Sequence, residues 1–320
     1  MEMKKISEIK KGDRVEGFYI IKSVDSKVPN NSNTNKYLDF NLGDVTGDIN
    51  AKLWECNEEL ENKFKQNILV KVKGSVNEWR GKLQLKIESI RLVEEKDGVK
   101  IGDYVAVAPY SPECMYDDIL NYLSKINNID IQNIVTNILS DNEEKLMYYP
   151  AAKSNHHAVK SGLLYHTTTM LKAGEKLGEI YTFLNMDLLY AGIILHDIGK
   201  IYEMDASELG IVSTYTVEGQ LIGHIVQGIK MIETASIEVK ASKEVSMLLQ
   251  HMVLSHHYEA EYGSPKKPMI PEAEMLHHLD IMDARMYDIN KALRDTEEGK
   301  FSERIFSLDN ISIYKSFISK

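Results

Sequence analysis

Through the first hundred residues, apolar and polar positions alternate with a period of two, the rhythm of half-buried strands. Arg14 to Ile21 reads as a first strand, and Pro29 to Asn35 as a polar loop. Tyr37-Leu38-Asp39-Phe40-Asn41-Leu42 then sets Leu38, Phe40 and Leu42 on one face. Gly43 to Asp48 is a turn, Ile49 to Trp54 alternates again, and Asn57 to Lys65 reads as a short helix. Ile68 to Val76 and Leu83 to Leu92 follow as strands around a hairpin tip at Trp79-Arg80-Gly81-Lys82. With Leu38, Phe40, Ile49, Ala51 and Leu53 turned inward, the outward set is Tyr37, Asn41, Asn50, Lys52 and Trp54, because successive strand side chains point to opposite faces.

From Pro112 onward the period becomes helical. Tyr116 to Ile126 and Ile131 to Leu139 carry apolar residues at i, i+3 or i+4, one stripe of an amphipathic helix. A helix begins near Gly162, and Leu188 to Ile194 is an apolar run that predicts a buried one. Glu203 to Gly219 contains a β-like stretch, Ile211 to Tyr215, expected as a hairpin insert. Helices are predicted around His224, from Glu244 to His257 and from Pro271 to Leu293. Between the halves, Glu94 to Gly98 is charged, and Val99 to Ser111 holds Pro109 with no helical pattern. This divides the chain into a β domain over 1–95, a linker over 96–112 and a helical domain over 113–320.

Three strands, a helix and two strands is the order of an OB-fold, a small five-stranded Greek-key barrel. The expected class is therefore multi-domain α+β, an OB-fold barrel followed by an all-α bundle. Asn41 to Gly47 followed by Ala51 to Trp54 resembles the OB domains of nucleic-acid-binding proteins. Tyr37, Lys52 and Trp54 on the outward face suit single-stranded nucleic acid, whose bases stack on aromatic rings. Trp79, Arg80 and Lys82 fall in a loop that such barrels also use for binding.

Composition narrows the picture in two places. With 320 residues, 43% of them apolar, the chain has material for two cores and is not expected to be disordered. No apolar run approaches a membrane span, and Met1 to Ser7 lacks the apolar core of a signal peptide. Cys56 and Cys114 are far apart and in no metal or redox spacing, which fits a reducing cytoplasm. The net charge of −10 argues at first against nucleic acid, but its distribution does not. Residues 1–100 carry 19 Lys and Arg against 17 Asp and Glu, and the remainder 19 against 31. The acid lies in the helical half, leaving the β half free to meet phosphate.

The candidate chemistry begins at Leu195-His196-Asp197-Ile198-Gly199-Lys200. A histidine and an aspartate side by side at the end of a buried helix need partners, since burying them uncompensated would cost several kcal/mol. A divalent cation takes an imidazole nitrogen and a carboxylate oxygen together. His166, His224, His256-His257 and Asp280 supply further donors, each on its own helix, in the order H, HD, H, H, D. That frame resembles the HD superfamily of metal-dependent phosphohydrolases. Carried over by position, the resemblance implies one metal held by His166, His196, Asp197 and Asp280. It implies a second held by Asp197, His224 and His256. Mixed imidazole and carboxylate ligation fits Mn²⁺ best, with Co²⁺, Fe²⁺ or Ni²⁺ as substitutes, over Mg²⁺.

His256 and His257 point about 100° apart on a regular helix, so only one is expected to reach that metal unless the helix ends there; His256 is favoured, and His257 is expected to face substrate. Lys200 is placed to meet a phosphate oxygen, and His157 and His156 to donate to a leaving group or sugar. Asp283 and His277 read as supporting residues beside Asp280, His278 as a surface residue, and His251 as off the ligand face.

An OB-fold joined to an HD frame favours a strand over a free nucleotide, which needs no platform for successive bases. Asn155-His156-His157, Ser161 to Thr167, His196 to Lys200 and Glu218 to His224 together resemble the YhaM-type 3′–5′ exoribonucleases of Gram-positive bacteria. The resemblance spans nearly the whole chain. It implies metal-dependent release of nucleoside 5′-monophosphates from the 3′ end of single-stranded RNA, with single-stranded DNA as a further substrate and Mn²⁺ as the favoured ion. Two other readings stay open: a nucleotide phosphohydrolase whose barrel serves assembly, and a nucleic-acid-binding regulator with a vestigial site. A homo-oligomer is compatible with such a chain, though no residue marks an interface. No His-His-Glu or Gly-Tyr-Pro set follows Lys200, which disfavours cyclic dinucleotides.

Overall fold

The computed structural model describes residues 3–29, 36–153 and 157–318. Most of the polar loop expected after Pro29, and His156 with it, lie outside the described residues. The chain forms two compact units: Met1–Val107 with Ser207–Ser213, and Ala108–Ala206 with Thr214–Lys320.

The first unit is a closed barrel of β1 (Arg14–Lys27), β2 (Lys36–Asp44), β3 (Gly47–Cys56), β4 (Leu69–Trp79) and β5 (Lys82–Leu92). The strands are ordered β1-β2-β3-β5-β4, with β4 returning to β1. Only the β3–β5 pair is parallel. The alternation sets the core: Leu38, Phe40, Leu42, Ile49 and Ala51 are buried, with Leu53 half-buried beside them. Helix α1 (Glu58–Lys63) sits between β3 and β4, capped by the Asn57 side chain, which accepts from the Leu60 N–H at 2.9 Å.

β1 runs further than its apolar pattern indicates. Past a register shift between Ile21 and Ser23 it stays paired with β2 as far as Lys27 and Tyr37, so ladder hydrogen bonds carry it where side-chain burial does not. Its run Phe18 to Ile21 is buried on both faces. Tyr19 and Ile21 point into the barrel, while Phe18 and Ile20 are covered from outside by Val99, Ile101, Tyr104, Val105, Leu209 and Ile211. The segment 99–105, extended and without helical pattern, is thus laid against the barrel wall.

The second unit is helical: α2 (Pro112–Ser124), α3 (Ile129–Leu146), α4 (Gly162–Ile180), α5 (Met186–Leu195), α6 (Lys200–Glu203), α7 (Val217–Glu238), α8 (Lys243–Ser255) and α9 (Pro271–Arg294). A short hairpin of β6 (Met204–Ala206) and β7 (Val212–Tyr215) interrupts it. α5 is the axis of the bundle. Leu188 through Leu195 are all buried, and α2, α3, α4, α8 and α9 pack around them, as a helix that is apolar all round requires. Asn185 fixes its start by accepting from the Asp187 and Leu188 N–H groups. Among the described residues, no helix is long and apolar enough to cross a membrane.

Candidate metal centre

The last turn of a helix leaves carbonyls without intrahelical partners, and the site is built on that fact. His196 follows the last residue of α5, and its Nδ1–H donates to the Ile193 carbonyl at 2.8 Å. His256 stands in the same place after α8, with Nδ1–H donating to the Val253 carbonyl at 2.7 Å. A carbonyl can only accept, so in each neutral ring the lone pair is on Nε2. His257 is held likewise, Nδ1–H to the Tyr262 carbonyl at 2.6 Å. For His224 the acceptor is Glu203 Oε1, which takes the ring Nδ1–H at 3.1 Å and the backbone N–H at 3.0 Å. That N–H is available because α7 is broken at Gly223 (φ 69°, ψ 167°), a conformation essentially confined to glycine. His166 on α4 has Nδ1 on Asp283 Oδ2 at 2.7 Å.

With one nitrogen engaged behind it, each ring turns the other toward Asp197. His196 Nε2 is 3.3 Å and His166 Nε2 3.8 Å from Asp197 Oδ2. His224 Nε2 and His256 Nε2 lie 3.5 and 3.9 Å from Oδ1. Asp280 Oδ1 is 3.2 Å from His166 Nε2, and His166 and His196 present their Nε2 atoms 3.2 Å apart. Two sets of donor atoms therefore share Asp197, each set within 4.8 Å: His166, His196 and Asp197, and Asp197, His224, His256 and His257.

The charges match a cation. Burial works against the Asp197 carboxylate, but Lys200 and His196 hold its pKa well below the usual range. Burial likewise opposes ionised Asp280, and His166 outweighs it, keeping the carboxyl depressed. Burial, then His257 and His196, push His256 well down, so its ring is neutral. Burial would lower His166 too, but Asp280 and Asp283 raise it to about 10, leaving a proton where a metal would compete for the nitrogen. Asp197 Oδ1, His224 Nε2 and His256 Nε2 are buried and have no hydrogen-bond partner. Such atoms are rare in a folded interior, and three converging on one point fit a divalent ion.

Two expectations change. His257 is gathered with His256 around Asp197 rather than turned away: α8 ends at Ser255, so regular helical spacing does not govern the pair. His157 does not reach the open face. It is 1% exposed and its Nε2–H donates to Asp283 Oδ2 at 2.7 Å, behind His166, which is a supporting position and not one that can protonate a leaving group. His156 lies outside the described residues. Lys200 keeps its charge: burial lowers it, Asp197 more than offsets this, and Nζ sits 2.7 Å from Asp197 Oδ2. His277 hydrogen-bonds the His256 carbonyl at 2.7 Å, His251 accepts from the Met269 N–H, and His278 is exposed beside Glu274.

Sequence reasoning missed Glu203. Its signals were a glycine just before His224, marking a broken helix whose first N–H needs an acceptor, and an acid three positions after Lys200. Gly199 also has a structural reason: a Cβ there would fall 2.1 Å from the His224 carbonyl oxygen, so α6 and α7 can approach only over a glycine. The cluster opens into a cavity of about 610 Å³ whose lining includes Lys200, Glu203, His224, Tyr258 and Tyr262. A groove of about 700 Å³ between α7 and α8 holds no comparable donor set.

On the barrel, the outward residues of β2 and β3 form one cluster. Tyr37 and Trp54 have ring centroids 4.7 Å apart, and Lys52 Nζ lies 4.9 and 5.9 Å from them. Trp54 is 44% and Trp79 64% exposed. Arg80 lies 5.8 Å from the Trp79 ring and Lys82 pairs opposite it across the β4–β5 turn.

Fold and site together define an OB-fold barrel carried with an HD-type, divalent-metal-binding hydrolase domain. Residues 163–285 match the HD domain family, and residues 20–93 the OB-fold nucleic acid binding domain family. The chain is 44% identical over 308 residues, 96% of its length and 94% of the relative's, to the 3′–5′ exoribonuclease YhaM of Geobacillus sp. (strain WCH70), and it belongs to the YhaM family. Among solved structures it is similar to the second OB-fold domain of replication protein A from Methanococcus maripaludis: 21% identity, 29% of this chain, 96% of that one, TM-score 0.25. It is also similar to Schizosaccharomyces pombe Pot1pC bound to single-stranded DNA: 15% identity, 30% and 90% coverage, TM-score 0.22.

Proposed function

We propose that this protein is a divalent-metal-dependent 3′–5′ exoribonuclease that releases nucleoside 5′-monophosphates from single-stranded RNA, and that it also accepts single-stranded DNA. The observation that carries the reading is the convergence of three buried, unpartnered donor atoms, Asp197 Oδ1, His224 Nε2 and His256 Nε2, in a chain of the YhaM family. His166, His196, Asp197 and Asp280 would hold one ion, and Asp197, His224 and His256, joined by His257, a second. Mn²⁺ suits these nitrogen and carboxylate donors best, ahead of Co²⁺, Fe²⁺ or Ni²⁺. Bound there, a pair of ions supplies Lewis acidity to the phosphate and lowers the pKa of an attacking water.

The chain's own residues do the rest. Asp197 offers one oxygen to each donor set. Lys200 carries a fixed positive charge beside it, suited to a non-bridging phosphate oxygen. Glu203 and Asp283 keep His224 and His166 in their orientations, and His157 braces Asp283. In the division read from sequence, residues 1–95 bind the strand and 113–320 cleave it, with 96–112 between. On the barrel, Tyr37, Lys52 and Trp54, with Trp79, Arg80 and Lys82, offer stacking rings and cations to a single strand. Two free cysteines, Cys56 and Cys114, fit a cytoplasmic enzyme.

The test is 5′-labelled single-stranded RNA incubated with the protein across a panel of divalent ions. A ladder of shortened products with Mn²⁺ supports the reading. Intact RNA beside hydrolysed free nucleotide would assign the site to a nucleotide phosphohydrolase instead.

A further inference from the structure

The cavity in front of the metal cluster is lined by three tyrosines, Tyr215, Tyr258 and Tyr262, and they are not equivalent. The Tyr258 ring is occupied on two sides. His277 lies 4.7 Å away at a 33° tilt, and Lys267 Nζ stands 4.5 Å from its centroid. Tyr215 has Lys153 Nζ at 5.9 Å. Tyr262 is 72% exposed, and among the described residues its ring has neither an aromatic nor a cationic neighbour. Yet it does not stand on a loose loop. Its carbonyl accepts from His257 Nδ1–H at 2.6 Å, the Ser264 hydroxyl accepts from the His257 N–H at 3.1 Å, and the Ser264 N–H returns to the Glu259 carbonyl. Gly263 closes the turn at φ 99°. The same residue thus holds a donor of the metal cluster through its backbone and presents a bare aromatic face at the mouth of the cavity.

We propose that Tyr262 is the stacking platform for the 3′-terminal nucleobase, so that the terminal nucleotide is gripped by its base face while its phosphate is at the metal cluster. This rests on the exonuclease reading above. Every base has a π-face, so recognition of this kind is indifferent to sequence, which an enzyme removing each nucleotide in turn requires. Recognition by base edges would instead favour one base over the others. No bond is made or broken by Tyr262; it is a binding residue, and its effect belongs in KM.

Wild type, Tyr262→Phe and Tyr262→Ala are compared on a single-stranded RNA ending in a normal nucleotide and on the same RNA ending in a 3′ abasic nucleotide. Tyr262→Ala should raise KM for the normal end about tenfold, the size of one base–aromatic stack, with kcat little changed, and Tyr262→Phe should behave as wild type. The abasic end should bring wild type down to the level of Tyr262→Ala and cost that variant nothing more. In EDTA, 2-aminopurine at the 3′ terminus should be quenched by wild type and by Tyr262→Phe but not by Tyr262→Ala. An abasic penalty equal in wild type and Tyr262→Ala, or equal quenching by both, overturns the proposal. Wild-type protein that quenches the terminal base but leaves RNA uncut with every metal would refute the exonuclease reading and leave the stacking platform standing.

Discussion

Imidazole makes a predictable metal ligand only when one of its two nitrogens is committed elsewhere. Here every ring of the cluster is so committed, His196, His256 and His257 to backbone carbonyls and His166 and His224 to carboxylates. Asp197 is the residue both donor sets share, so Asp197→Ala should abolish turnover, by at least three orders of magnitude, while RNA binding in a filter or anisotropy assay survives. Retained cleavage would remove Asp197 from its bridging role. Glu203→Gln keeps a hydrogen-bond acceptor but loses the charge that orients His224; outer partners of this kind are worth about 10- to 100-fold in metal affinity. A titration calorimeter should therefore show one ion weakened by that factor and the other unchanged. The side chains that the structure gathers around Asp197 could be singled out in the chain because the order H, HD, H, H, D resembles the HD superfamily frame. Asp283 and His277 were also legible as supports beside Asp280, but the backbone acceptors were not, because carbonyls of Ile193, Val253 and Tyr262 carry no residue-type signal. His157 was misplaced for a related reason: spacing shows that it precedes α4, not that its ring is buried behind Asp283.

At the scale of elements, the site depends on how closely α6 and α7 approach. Gly199→Ala would drive a methyl group against the His224 carbonyl oxygen, 2.1 Å away, and the Gly228 nitrogen, 2.9 Å away. Both are backbone atoms and cannot swing aside, so α7 must shift. We expect a loss of about 1–3 kcal/mol in stability, with metal occupancy falling first at the His224 side by elemental analysis. Normal occupancy and activity would show that α7 tolerates the move. Tyr149 ties the same region from below, donating its hydroxyl to the carbonyls of Ile201 and Met204. Burial raises its pKa from 10 to about 12. A tyrosine whose folded pKa is raised contributes stability below the unfolded value and loses it as pH climbs through the folded one. Wild type should therefore lose stability between about pH 10 and 12, and Tyr149→Phe should lose less across that window in denaturant titrations. Helix positions were legible because α5 is one continuous apolar run and its neighbours follow apolar periodicity. The break at Gly223 was not, because a glycine inside a helical pattern has several explanations until its φ is known.

For the whole molecule, the proposed strand platform and the proposed cleavage centre lie in separate compact units, and their contributions should separate in solution. Lys52→Ala with Trp54→Ala should weaken binding of long RNA several-fold while sparing hydrolysis of a dinucleotide; equal loss on both substrates would mean the barrel is no platform. EDTA should do the reverse, ending cleavage and leaving strand binding intact. The two-domain architecture was readable because a period of two gives way to a helical one near residue 112. What was not readable is that the tip of the β6–β7 hairpin, with Leu209 and Ile211, packs with barrel residues, since contacts between segments so distant in sequence leave no periodic trace. The account as a whole stands on a pair of cations sharing Asp197. Diffraction at the manganese absorption edge, from crystals grown with Mn²⁺, tests it most directly. Two anomalous peaks a few ångströms apart are predicted, one among His166, His196, Asp197 and Asp280, the other among Asp197, His224 and His256. No peak at Asp197, with the ions elsewhere, would contradict it.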